Sequence, residues 1–65
     1  MKRVILKGVI PINTNWEAEV KRNLKWYKNK YRLEYTKLEM VQTGKDNDFM
    51  YYTLVGKKIG ENNGI

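Results

Sequence analysis

The segment Phe49-Met50-Tyr51-Tyr52-Thr53-Leu54-Val55 constrains the fold most. Its aromatic and β-branched residues make it the clearest strand in the chain. Period two puts Met50, Tyr52 and Leu54 on one face and Phe49, Tyr51 and Val55 on the other. Both sets are apolar, so this strand asks for cover on both sides. A chain of 65 residues has little to offer. A domain of that size buries only about 60% of its unfolded surface. The chain has no cysteine and no histidine, so neither a disulfide nor a thiolate or imidazole metal site can staple it. Self-association or a partner is the support that remains.

Residues 2–12 read as another strand, with Val4, Leu6, Ile10 and Ile12 on one face and Arg3, Ile5, Lys7 and Val9 on the other. Gly8 marks a bulge or a close backbone approach, and Pro11 puts the strand near its end or at a sheet edge. Thr14-Asn15-Trp16-Glu17 fits a capping box in which Thr14 and Glu17 cap each other's amides. The helix that follows runs to about residue 29 or 30. Its apolar stripe is Trp16, Val20, Leu24, Tyr27 and Tyr31.

Residues 31–43 fit two patterns. Tyr31, Tyr35, Leu38 and Val41 would prolong the helix, whereas Tyr31, Leu33 and Tyr35 alternate as a strand whose phase slips near Thr36 and Lys37. The turn cluster at residues 44–48 favours the strand, and residues 32–43 then pair with 49–58 as a hairpin. The fold class expected is α+β, in the order β-α-β-β: a three-stranded antiparallel sheet with one helix packed on one face. Residues 1–59 make one domain, and residues 60–65 read as a flexible tail. One helix covers one sheet face, so the second apolar face predicts a homo-oligomer, a dimer or larger.

Catalytic groups are scarce. There is no serine, no glycine-rich phosphate loop and no nucleophile elbow. Asp46 and Asp48 form a D-x-D that suits a turn bonding its own backbone better than a calcium loop. The expectation is a non-enzymatic protein with no cofactor and no metal. Lys7 breaks the first apolar run before a signal peptide could form, and no stretch nears the ~20 apolar residues of a membrane span, so the protein is expected to be cytoplasmic. Lys, Asn, Tyr and Ile are plentiful and Ala18 is the only alanine. Such usage follows AT-rich codons and suggests a low-GC bacterium or its phage.

The formal charge is +6, and it is concentrated. Lys21, Arg22, Lys25, Lys28, Lys30 and Arg32 lie in a stretch without an acid, while the other seven basic residues are matched by seven acidic ones. On a helical wheel Lys21, Lys25 and Lys28 form one ridge about 100° from the apolar stripe. Arg22 lies beside it, toward Trp26. Trp26 projects about 120° from the stripe, where it either covers a sheet edge or oligomer contact or serves as a stacking anchor. The ridge is either a solvated face or an anion-binding one. Of Tyr51 and Tyr52, adjacent on a strand, only one can be exposed for stacking, and the other is core.

The β-α-β-β order, the size and the helix start Asn15-Trp16-Glu17 are similar to those of dodecin, a family of small oligomeric flavin-binding proteins. Where that family stacks flavin with a tryptophan on its second strand, this chain has Tyr35, so no binding residue is carried over. The leading functional expectation is a binding protein. Lys21, Arg22, Lys25, Trp26, Lys28, Lys30 and Arg32 would face a negatively charged partner, either nucleic acid or an acidic protein surface. The alternatives are a phage accessory protein that inhibits a host protein, and a small-ligand-binding or structural oligomer of dodecin-like topology.

Overall fold

The computed structural model describes residues 2–60; most of the tail expected at 60–65 lies outside the described residues. The elements run β1 (Arg3–Pro11), α1 (Trp16–Lys30), β2 (Tyr35–Lys45) and β3 (Phe49–Lys58). They form an α+β fold with one open sheet in the order β1-β3-β2, and every hydrogen-bonded pair is antiparallel. The most apolar strand therefore sits in the centre. Tyr52, Thr53 and Leu54 are consecutive and all buried, and Leu54 is fully so. The core on the helix side joins Ile10, Leu38, Met40, Met50, Tyr52 and Leu54, with the whole expected stripe of α1 packed against it.

Three local expectations shift. The helix cap is Asn15, not Thr14: Asn15 Oδ1 accepts from the Ala18 amide at 3.1 Å. The Thr14 amide is used one step earlier, donating to the Pro11 carbonyl at 3.0 Å to turn the chain out of β1. The second strand starts at Tyr35 rather than residue 32. Residues 31–34 close the helix instead, with the Glu34 and Tyr35 amides both donating to the Tyr31 carbonyl at 2.9 Å. Val4 leaves the core face on which strict alternation puts it. The register slips between Val4 and Leu6, so Ile5 turns toward Gly56 and Val4 is 60% exposed.

The expected slip in β2 falls where the pattern puts it. The register breaks between Thr36 and Glu39, and Lys37 takes a positive φ of 51°. That bulge lets Tyr35, Leu38 and Met40 all serve the core. Gly8 is a close approach rather than a bulge. A Cβ there would lie 2.5 Å from Cζ and the hydroxyl of Tyr52, whose ring covers it. Pro11 ends β1, and β1 is an edge strand, as a residue without an amide donor requires.

Asp46 shapes the β2–β3 turn. Its Oδ1 accepts from the amides of Asp48 (2.8 Å) and Phe49 (2.7 Å), and its Oδ2 accepts from the Tyr51 hydroxyl. The Tyr51 bond first, and then the two amides, hold the Asp46 carboxyl below the ordinary carboxylate range. Among the described residues no cluster of three acidic side chains forms a metal site.

Two substitutions test these assignments. Asn15→Ala should cost about 1 kcal/mol in urea unfolding, while Thr14→Ala should cost much less; the reverse order would restore the capping box. Gly8→Ala should cost about 1–3 kcal/mol, because the buried ring of Tyr52 has to move.

Candidate partner-binding face of the helix

The helix sits on β2, and none of its residues is fully buried. Its ends are arranged for its dipole, with Glu17 and Glu19 in the first turn and Lys28 and Lys30 in the last. The hydroxyls of Tyr27 and Tyr52, 3.0 Å apart, form a polar bond between the layers. Burial first, and then this bond, push the Tyr27 hydroxyl up to about 12.

An aromatic ladder starts at Tyr35, at the base of β2, and climbs the helix. Tyr35 meets Tyr31 edge-on at 5.9 Å, Tyr31 stacks with Tyr27 at 6.3 Å, and Tyr27 meets Trp26 edge-on at 5.2 Å. Trp26 ends the ladder on the outside, 58% exposed. The ammonium of Lys30 lies 5.0 Å from the Trp26 ring centre and 5.6 Å from that of Tyr31. The 27-31-35 spacing of the tyrosines was visible in the sequence, but its use as a ladder depended on where the helix ended.

The seven candidate residues fall into three groups. Lys21, Lys25 and Lys28 share an exposed ridge, and none of them forms an ion pair among the described residues. Arg22 and Trp26 lie on the next flank. Arg22 does not stack on Trp26; it binds the carboxylate of Glu19, and Lys30 takes the ring instead. Arg32 stands apart in the turn after the helix, exposed. The free positive charge of the helix is thus the lysine ridge.

Beside that ridge runs an open groove of about 810 Å³. Its apolar wall is Trp16, Val20 and Leu24, its rim is Lys21, Lys25 and Lys28, and Asn15, Glu17 and Ala18 line its end at the helix N-terminus. The stripe residues that pack on the sheet thus leave their far sides exposed. A smaller hollow of about 470 Å³ lies between Arg22, Lys25, Trp26 and Asn29. No helix is long and apolar enough to cross a membrane among the described residues. Tyr35 belongs to the ladder and is half-buried. No protein-family model, curated protein or solved structure matches the chain.

The Tyr27 hydroxyl makes stability depend on alkaline pH. Its pKa is raised above the ordinary 10.0, so the folded state holds the proton more tightly than the unfolded one. The contribution is complete below pH 10 and is lost as the pH rises toward about 12. Urea unfolding across that range should show a loss of stability that is smaller in Tyr27→Phe. Equal slopes in the two proteins would remove Tyr27 as the cause.

Proposed function

We propose that this is a non-enzymatic binding protein whose helix α1 receives an acidic protein surface. The supporting observation is the groove: an apolar wall of Trp16, Val20 and Leu24 shares it with three lysines that form no ion pair among the described residues. Phosphates alone need no apolar wall. A partner segment with apolar residues on one side and carboxylates beside them uses both halves of the groove. Burying part of the wall supplies affinity at about 25 cal/mol per Å² of apolar surface, and the lysines steer and orient the partner. A small protein of this kind would suit the inhibition of a host protein.

Nucleic acid is the second reading, and Trp26 favours it. An exposed ring with a cation over one side is a stacking platform, and the lysine ridge would touch backbone phosphates. Three phosphate contacts predict a slope of log K against log salt of about −2.7 on duplex and about −2.1 on single strands.

The charge reversal Lys21→Glu, Lys25→Glu, Lys28→Glu and the groove change Leu24→Gln separate the two. Capture from a lysate of the source organism, with nuclease treatment, should retain an acidic protein. Both variants should weaken that capture at least tenfold, about 1.4 kcal/mol. Loss of the captured material to nuclease, with Leu24→Gln binding normally, would transfer the function to nucleic acid. Capture unchanged by the charge reversal would remove the helix face from the function altogether.

A further inference from the structure

We infer that the uncovered face of the sheet is the contact between two copies of this chain, packed sheet on sheet. Strand register puts Val4, Val9, Val41, Phe49 and Tyr51 on that face: Val4 pairs with Val55, Val9 with Tyr51, Pro11 with Phe49 and Val41 with Thr53. All five are between 38% and 60% exposed, and they are five of the eight exposed large apolar side chains among the described residues. They cluster around Thr53 and Val55 of the central strand and so form one patch, not scattered single residues.

Lys57 shares this face at the far end of β3, and several other polar groups of the face are already satisfied in a way that suits burial. The Tyr51 hydroxyl donates to Asp46, so its ring can be covered without stranding a hydroxyl. Lys2 and Glu39, from opposite edges of the sheet, form an ion pair across Val55. Lys7 lies on an edge strand, from which a long side chain reaches solvent.

Charge points to the same occupant. The excess of +6 equals the charge of Lys21, Arg22, Lys25, Lys28, Lys30 and Arg32 on the helix and its exit. Those residues lie on the opposite side of the sheet, so two copies meeting at the apolar face keep these charges far apart.

The size fits a reversible dimer. Strands of 9 to 11 residues rise about 30 Å, and three of them span about 15 Å. That footprint is about 450 Å² per copy, or about 900 Å² for two, before the relief of the side chains is counted. Stable interfaces bury about 1,200–2,000 Å², so this one falls in the smaller class of weak, reversible contacts. The assembly would be a four-layer α/β/β/α sandwich with a lysine ridge on each outer surface.

Sedimentation equilibrium on the intact protein over a range of concentrations tests this. The expected mass at high concentration is twice the 7.8 kDa chain. Val9→Glu with Val41→Glu, both at exposed positions, should shift the midpoint at least tenfold, while Lys21→Glu, Lys25→Glu, Lys28→Glu should still dimerise. Dimerisation therefore tests the sheet face separately from whatever the helix binds. In the wild-type protein, a mixture of labelled and unlabelled chains should show intermolecular NOEs between the methyls of Val4, Val9 and Val41 and the rings of Phe49 and Tyr51. A single-chain mass at the highest concentration would overturn the inference. So would intermolecular NOEs that map to the helix.

Discussion

The structure depends on burying the central strand. β3 is hydrogen-bonded on both edges, and from Phe49 to Val55 its side chains, Thr53 apart, are apolar above and below the sheet. On the inner side Met50, Tyr52 and Leu54 lie under the helix and between the edge strands, where Ile10 and Met40 complete the core. On the outer side Thr53 is buried only by its neighbours, and Phe49 and Tyr51 stay exposed. Fully burying side chains of this kind stabilises by about 1.5–3 kcal/mol each, which is large against the 5–15 kcal/mol of a whole domain. The single helix therefore accounts for half of what β3 needs, and the other half is left to the second sheet face.

Much of this was legible in the chain itself. Period two identified β1 and β3, and the 3.6-residue stripe identified the face of α1 that packs inward. The opposite faces of Tyr51 and Tyr52 followed from adjacency, with Tyr52 in the core and Tyr51 outside. What was not legible has local reasons. Thr14 and Asn15 are both good caps, and the choice was made by a turn amide bonded to Pro11. Val4, Ile5 and Leu6 are all apolar, so any phase satisfies the pattern. The slip at Ile5 follows from the space above Gly56 on the neighbouring strand, where an added Cβ would lie 3.2 Å from Ile5 Cδ1. Strand order was likewise set by long-range pairing.

The candidate site was legible as composition and not as geometry. Six cations in an acid-free stretch were plain to see. The acid that takes Arg22 sits three residues earlier, just outside that stretch, and the ring that takes Lys30 sits four residues before it. Helical neighbours thus divide the cations into engaged and unengaged, leaving the lysine ridge. The groove wall could not be read from the stripe, because period alone does not say how far a helix sinks into its sheet. Here it rests on β2, and Trp16, Val20 and Leu24 stay half open.

The β1-β3-β2 order also bears on how the chain is made. β1 leaves the ribosome first, yet its only strand neighbour is β3, which is made last of the three. The β2–β3 hairpin can close locally within microseconds. The first strand has to wait, unpaired, until residues from Phe49 onward have emerged to receive Pro11 and the residues before it. During translation, then, the early segment Val4–Ile10 is an open apolar edge. Completing the sheet closes a loop whose nearest pair, Pro11 and Phe49, is 38 residues apart in sequence, an entropic cost that the local hairpin does not carry.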